Sequence, residues 1–167
     1  MFIGPRRAVL IGAIAAVALT IILIPLIFTV TAPNFDLVDV RLANVTIMSV
    51  EEGKIKLQPV FTIANPTDQT ITTSKIEYEL FADGVSLGTK VLSFEDVPLN
   101  GRPAIFSQGS VNIKQHLGDP FVVDESANAD IFAKIRDNPA SIKWKATGTA
   151  SIDSTLIQNE KKFSSEI

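Results

Sequence analysis

The 167-residue chain contains no cysteine and has one histidine, one tryptophan and one tyrosine. Without cysteine there is no disulfide framework, thiolate zinc site, iron–sulfur cluster or cysteine nucleophile. With His116 as the lone histidine, neither a histidine-based metal site nor a Ser-His-Asp triad is expected. The sequence predicts no catalytic, cofactor-binding or metal-binding residues, and the protein is expected not to be an enzyme.

Charge is missing from a long stretch of the chain, because no charged residue lies between Arg7 and Asp36. The chain has 15 basic and 18 acidic residues and a formal net charge of −3. Arg6 and Arg7 are the only basic residues before Asp36, so the part from Asn34 onward holds 13 basic and 18 acidic residues. An acidic domain without a basic block is not expected to bind nucleic acid.

The uncharged stretch is rich in Ile, Leu, Val and Ala, and residues 8–30 read AVLIGAIAAVALTIILIPLIFTV. A helix of roughly 20 such residues crosses the hydrocarbon core of a membrane. Arg6 and Arg7 before the stretch, and acidic residues after it, favour a cytoplasmic N-terminus. We therefore expect residues 1–33 to form a cytoplasmic stub and a transmembrane helix over about 8–30. Residues 34–167 are expected to lie outside the cell as the domain of a single-pass protein of the cell membrane.

Two other roles for the apolar stretch stay open. A cleaved signal peptide has a shorter apolar region, of about 7–15 residues. Its best cleavage pattern here, Val30-Thr31-Ala32, is followed by Pro33, which a signal peptidase accepts poorly. The second alternative is a pilin-like leader that is cut after Arg7, so that the apolar helix packs into a filament.

The remainder of the chain alternates apolar and polar residues as half-buried strands do. Val38 to Leu42 predict a first strand, and the later shift of the apolar phase to Val45 and Ile47 predicts a β-bulge. Pro59 interrupts the second strand, which predicts an edge position or a bulge. Asn65-Pro66 is expected to end that strand.

The clearest element is a β-hairpin. Ile76, Tyr78 and Leu80 alternate with charged residues, and Asp83-Gly84 supplies a two-residue turn with positive φ angles. Further strands are predicted through Ile105 to Ile113, from Ile142 to Ile152, and up to Ile167, and a helix is predicted over Asp124–Asp137. About seven short strands and one inserted helix predict a mainly β protein, an antiparallel sandwich of two sheets.

One segment resembles a known family. The segment KIKLQPVFTIANPTDQTITTSKIEYELFADGVSLGTKVL resembles the WHy (water stress and hypersensitive response) domain of the LEA-2 class of late embryogenesis abundant proteins. The shared pattern is a strand ending in Asn65-Pro66, a strand of the type I-x-Y-x-L, and a hairpin to an apolar strand containing Gly88.

The resemblance implies an immunoglobulin/fibronectin-III-like sandwich with one helix and a role in tolerance of desiccation or osmotic stress. It implies no catalysis, and it contributes only Asn65 and Pro66 as a structural signature. Stabilisation of membranes or client proteins is the activity it implies, with the lipid bilayer as a partner through the N-terminal helix. The outer domain is expected to be a monomer.

A few other residues are candidate sites. Asn44-Val45-Thr46 is a glycosylation acceptor motif if the domain lies outside the cell. Asp124, Glu125 and Asp130 lack the glycine-punctuated loop of an EF-hand, and the first two are predicted to be favourable charges at a helix N-terminus. Lys161-Lys162 is expected to guard a strand edge rather than bind anionic lipid.

Two further functions stay open. The chain has the layout of a filament subunit or of its membrane mount, with an apolar N-terminal helix before a β-sandwich. An enzyme or ligand-binding module on the same sandwich is the third hypothesis, but no motif supports it.

Overall fold

The computed structural model describes residues 5–31, 33–96, 101–154 and 157–167, and side chains of the N-terminal helix over residues 9–25. The chain divides into two compact units, Met1–Ala32 and Pro33–Ile167. The first contains the helix α1 (Pro5–Thr31), which includes Pro25. In its described residues, the second contains nine strands, the helix α2 (Ala129–Asp137) and short 3₁₀ helices at Phe35–Leu37 and Pro139–Ser141. The strands are, in chain order, β1 (Asp39–Glu51), β2 (Lys54–Asn65), β3 (Ile71–Ala82), β4 (Val85–Ser93), β5 (Ala104–Ile105), β6 (Gly109–Lys114), β7 (Phe121–Asp124), β8 (Trp144–Asp153) and β9 (Gln158–Glu166).

Helix α1 is uncharged over its described side chains, and all of them are exposed. Within the described part of the chain, no helix has the length and apolar character that crossing a membrane requires. The transmembrane helix predicted over about residues 8–30 is therefore not supported.

The first sheet is antiparallel and is built on β2. Strand β1 pairs along one side of β2, while β6 and β7 share the other side. Strand β7 pairs with Lys54 to Leu57, and β6 pairs with Val60 to Asn65. Pro59 lies where these two partners meet, and its carbonyl accepts from the Gln115 N–H at 3.0 Å. The edge position predicted from Pro59 is wrong, because β2 lies in the centre of its sheet. Proline is tolerated there because it falls between the residues that pair with β7 and those that pair with β6.

The second sheet is also antiparallel, with the order β4-β3-β8-β9 and with β5 pairing the start of β3. The predicted hairpin joins β3 and β4, and Asp83 and Gly84 have φ angles of 49° and 83°. The prediction of a two-residue turn with positive φ angles is confirmed. Asn, Asp and Gly are the residues that tolerate this backbone conformation.

One hydrophobic core lies between the two sheets and draws on residues of both. At its centre, the ring of Phe61 on β2 lies 4.8 Å from that of Tyr78 on β3 and 5.7 Å from that of Phe163 on β9. Gly148 pairs with both Tyr78 and Phe163, and a Cβ there would collide with the Glu77 carbonyl oxygen. Glycine at this position therefore lets β8 approach β3 closely beneath the aromatic cluster.

The mainly β fold with antiparallel sheets is confirmed, and the described residues form nine strands instead of about seven. The strand predicted through Ile105 to Ile113 is two strands, β5 and β6, which belong to different sheets. The predicted bulge in β1 is confirmed as a register shift between Leu42 and Asn44.

The predicted helix begins later than expected. Helix α2 begins at Ala129 because the side chain of Asn128 caps it, accepting from the Ile131 N–H at 3.0 Å. Asp124 ends β7 instead of starting the helix. The predicted role of Asp124 and Glu125 as helix N-terminal charges is therefore wrong.

Candidate functional site

Asn65 is the last residue of β2, and its side chain is only 1% exposed. Its Nδ2 donates to the backbone carbonyl of Gln69 at 2.7 Å. The same nitrogen donates to the carbonyls of Ile105 at 3.0 Å and Phe106 at 3.2 Å. One buried amide thus joins the turn after β2 to the loop between β5 and β6, 40 residues later in the chain.

The side-chain oxygen of Asn65 holds the turn itself. Asn65 Oδ1 accepts from the Thr67 N–H at 3.1 Å and from Thr67 Oγ1 at 2.7 Å. Thr67 is buried as well. Proline cannot continue a strand ladder because it has no N–H, so Pro66 ends β2 where this turn begins.

Gln108, in the loop between β5 and β6, also binds the turn after β2. Its side-chain amide donates to the Pro66 carbonyl at 2.7 Å, and its backbone N–H donates to the Thr67 carbonyl at 3.2 Å. Its φ angle of 54° is uncommon for a residue with a side chain. We call residues 65–69 and 105–108 the Asn65 cluster.

The Asn65 cluster is held together by both polar atoms of the Asn65 side chain. An asparagine amide offers two donor hydrogens and an oxygen with two lone pairs, and both atoms of Asn65 are engaged by the protein. A shallow hollow of about 410 Å³ lies beside it. The hollow is lined by Ala64, Asn65, Pro66, Gln108, Gly109 and Ser110.

Asn44, the candidate glycosylation residue, lies elsewhere, on the exposed surface of β1. Its Nδ2 donates to Thr46 Oγ1 at 3.3 Å, and its Oδ1 accepts from the Val45 N–H at 2.9 Å. Asn44 is in register with Val60, five residues along β2 from Asn65. At about 3.4 Å per residue, the two asparagines lie roughly 17 Å apart along the sheet.

The remaining residues weighed in the sequence are dispersed. His116 is exposed, with its ring 5.4 Å from that of Phe94. Asp124 accepts from Ser126 Oγ at 3.0 Å, and the described residues hold no group of three or more acidic or imidazole side chains suited to a metal ion. Lys161 donates to the carbonyl of Asp36 at 2.7 Å.

Two buried polar contacts had no signal in the sequence. Tyr78 donates its hydroxyl to Gln115 Oε1 at 3.1 Å, and Gln115 is 1% exposed. Burial, and to a lesser degree the charge of Asp119, raises the pKa of Tyr78 well above its usual range. Arg102 pairs with the buried Asp153, with 2.9 Å between Nη1 and Oδ2. Each contact joins residues distant in sequence, so local patterns give no sign of it.

A shallow groove of about 550 Å³ crosses β3, β4 and β8. It is lined by Glu77, Tyr78, Glu79, Thr89, Lys90, Val91, Thr147, Gly148 and Thr149. These side chains include carboxylates and hydroxyls but no histidine or cysteine.

Comparison with known proteins bears on the fold. No protein-family model and no curated protein matches the sequence. Among solved structures, the chain is similar to the Arabidopsis thaliana protein AT1g01470, with 14% identity over 77% of this chain and 79% of that chain and a TM-score of 0.51. This similarity supports the fold alone.

Two other similarities are weaker. A protein from Archaeoglobus fulgidus has 13% identity over 75% of this chain and 94% of that chain, with a TM-score of 0.45. The protein At2g46140.1, a candidate late embryogenesis abundant (LEA) protein, has 12% identity over 97% of this chain and 86% of that chain, with a TM-score of 0.43. At these scores neither similarity carries an inference about this chain.

Proposed function

We propose that this chain is a non-enzymatic stress-protection protein of the LEA-2/WHy kind, attached to a lipid bilayer through α1. In this proposal, its folded domain stabilises the membrane or nearby client proteins during desiccation or osmotic stress. The proposal includes an immunoglobulin/fibronectin-III-like character for the two-sheet domain.

The buried side chain of Asn65 is the observation that carries the proposal. The Asn65-Pro66 pair is the structural signature within the pattern that carries the family resemblance, together with the I-x-Y-x-L strand and the hairpin. Here Asn65 makes hydrogen bonds to Thr67, Gln69, Ile105 and Phe106. A residue of the shared pattern thus holds two loops of the domain together.

Attachment to a bilayer is supported by the side chains of α1. Val9, Leu10, Ile14, Val17 and Ile21 are each more than half exposed. Removing apolar surface from water is favourable by about 25 cal/mol per Å². Inserting these side chains into a bilayer would remove their surface from water. We expect the N-terminus on the cytoplasmic side and the domain outside, since Arg6 and Arg7 precede the apolar stretch. Reporter fusions to the C-terminus would establish on which side the domain lies.

Protection is tested with the full chain reconstituted into dye-loaded phosphatidylcholine vesicles that are dried and rehydrated. We expect the protein to increase the fraction of dye retained. The matched control is the double variant Ile14→Lys and Val17→Lys, which places charge on α1 and leaves the domain unchanged. The proposal is contradicted if the wild-type chain, although bound to the vesicles, retains no more dye than protein-free vesicles. Deletion of the gene should likewise lower survival after drying.

A filament subunit is the second candidate, favoured by the exposed apolar surface of α1. The same surface would pack against copies of α1 in a fibre. The mature N-terminus separates the two functions, because the filament pathway removes the residues through Arg7. An intact mass equal to that of the full chain would exclude this second function.

A further inference from the structure

One end of the domain brings together segments that are distant in sequence. Asp39, the first residue of β1, is in register with Ala64, which is in register with Ser110 of β6. The 3₁₀ helix Phe35–Leu37 therefore lies at the same end as the Asn65 cluster. Neighbouring strands are about 4.8 Å apart, so the three segments lie within roughly 10 Å across this sheet. We call this the Asn65 end.

The Asn65 end exposes large apolar side chains. Phe106 is 70% exposed and Leu37 is 54% exposed. Ile157, the residue before β9, is 37% exposed, and β9 is tied to the 3₁₀ helix by the hydrogen bond from Lys161 to the Asp36 carbonyl. Single exposed apolar residues are ordinary on protein surfaces, whereas several at one end indicate a contact surface.

The backbone of Phe106 is held firmly although its ring is exposed. Its carbonyl accepts from the buried Asn65 Nδ2 at 3.2 Å and from the Gly109 N–H at 3.0 Å. A phenylalanine on a loop fixed in this way stays in water instead of folding back into the core. The Asn65 cluster thus presents the ring at the surface.

The charges around these apolar side chains indicate which kind of lipid headgroup they would contact. Charges of both signs lie at this end: Asp36 and Asp68 are exposed, and the Lys161 ammonium donates to the Asp36 carbonyl at 2.7 Å. Carboxylates repel anionic headgroups but attract the quaternary ammonium of a choline headgroup, and aromatic faces attract the same cation. A zwitterionic choline lipid therefore suits this end better than an anionic lipid.

We infer that the Asn65 end is a second membrane contact, in which Phe106 and Leu37 insert into the interface of a zwitterionic bilayer. The inference rests on the proposed attachment of the chain through α1. Helix α1 ends at Thr31 and the 3₁₀ helix begins at Phe35, so the chain between them spans at most about 14 Å. In the sequence, this end of the domain therefore follows α1 directly. The inserted side chains would reach roughly 5–10 Å into the headgroup boundary.

Because the chain has no cysteine, a single introduced cysteine can be labelled at one chosen position. Phe106→Cys, Leu117→Cys and Val17→Cys are each made in the full chain and labelled with the fluorophore NBD. Each is reconstituted into phosphatidylcholine vesicles containing a spin-labelled lipid quencher. Leu117 is the matched control because it is an equally exposed apolar residue, at 71%, on the β6–β7 loop outside the Asn65 end. Circular dichroism verifies that each labelled variant keeps its β structure.

We expect the label at residue 106 to be quenched and blue-shifted, and the label at residue 117 to be neither. Phosphatidylglycerol in place of phosphatidylcholine should weaken quenching at residue 106. Equal quenching at residues 106 and 117, with strong quenching at residue 17, would overturn the second contact and leave attachment through α1 standing. Absence of quenching at residue 17 would overturn the attachment itself, and the second contact with it.

The label replaces the ring under test, so a second variant examines the ring directly. Leu37→Cys carries the label, with or without Phe106→Asp. We expect Phe106→Asp to reduce quenching at residue 37, because it removes the larger inserted side chain and adds a charge. Unchanged quenching at residue 37 would show that Phe106 takes no part in the contact.

Discussion

The turns at the two ends of the domain are held by different kinds of hydrogen-bonding side chain. At the Asn65 end, a neutral buried amide makes the connection between loops. At the opposite end, the turn between β3 and β4 is fastened by the carboxylate of Asp83, which pairs with Lys134 of α2 and accepts from the Lys143 N–H at 2.9 Å. The hydrogen bond from Lys134, and then that from Lys143, holds the pKa of Asp83 below its ordinary value.

The Asn65 amide and the Asp83 carboxylate differ in their access to water. Water replaces the lost partner of an exposed charge, and salt screens the pair, so such pairs contribute little to stability. Water cannot reach a buried site to replace a removed amide, so the hydrogen bonds of that amide are lost without compensation. Stability should therefore depend strongly on Asn65 and weakly on Asp83, although both residues fasten a turn.

The largest effect is expected from Asn65→Ala, which removes a donor from the buried Ile105 carbonyl and the side-chain acceptor of the buried Thr67 N–H. We expect the free energy of unfolding to fall by roughly 3 kcal/mol, measured by urea denaturation of the domain Pro33–Ile167. Asn44→Ala is the matched control, because Asn44 is exposed and hydrogen-bonds only locally, and it should change stability by less than about 0.5 kcal/mol. Similar losses in the two variants would contradict the comparison.

Asn65→Asp should make stability depend on pH. Its carboxylate would face the carbonyls of Gln69, Ile105 and Phe106, which raises its pKa in the folded state. Stability should then fall as the pH rises above the unfolded value of about 3.9, by up to about 1.4 kcal/mol per pH unit until the folded pKa is reached. Urea midpoints measured across the acid range, relative to wild type, test this. A difference in urea midpoint between variant and wild type that does not change with pH would show that water reaches this site.

Asp83→Asn should have a smaller effect, because asparagine tolerates the positive φ angle and still accepts from the Lys143 N–H. Only the ion pair with Lys134 is lost. Since the pKa of Asp83 is lowered by folding, its charge stabilises the fold above the unfolded pKa of about 3.9, and this contribution disappears as the pH falls through the folded pKa. Wild type and variant should therefore converge in urea midpoint at low pH and in 1 M NaCl. A gap that persists in both conditions would contradict an electrostatic origin.

The smallest effect is expected from Lys56→Gln. Lys56 pairs with Glu51 at 2.6 Å at the same end as Asp83, and the pair lowers the pKa of Glu51. Both side chains are substantially exposed, so we expect no measurable change in the urea midpoint. A loss approaching that of Asn65→Ala would contradict the distinction between buried and exposed fastenings.

Much of the fold was predictable from local patterns, as the turn at Asp83-Gly84 and the bulge after Leu42 illustrate. Both depend on backbone preferences of a few adjacent residues. The error at Pro59 has a different origin. A proline excludes a hydrogen bond at its own position, but only the arrangement of β6 and β7 shows that the bond was not needed there.

The Asn65 cluster was predictable in part. Asn65-Pro66 was expected to end β2, and it does so. The burial of the Asn65 side chain was not predictable, because three of its acceptors lie outside the turn residues Pro66–Asp68 and two of them lie about 40 residues away. The exposed ring of Phe106 was likewise unforeseen, since it falls within a stretch that reads as one strand.

By itself, the amino-acid sequence determined an N-terminal helix that is apolar after Arg7, an acidic β domain, and the positions at which most strands begin or turn. These features follow from residue chemistry and from the period of two that strands impose. The tertiary structure alone decided which strands are central, that Asn65 is buried, and that Leu37 and Phe106 reach the same end. Those outcomes depend on pairing between segments far apart in the chain, and no local pattern encodes such pairing.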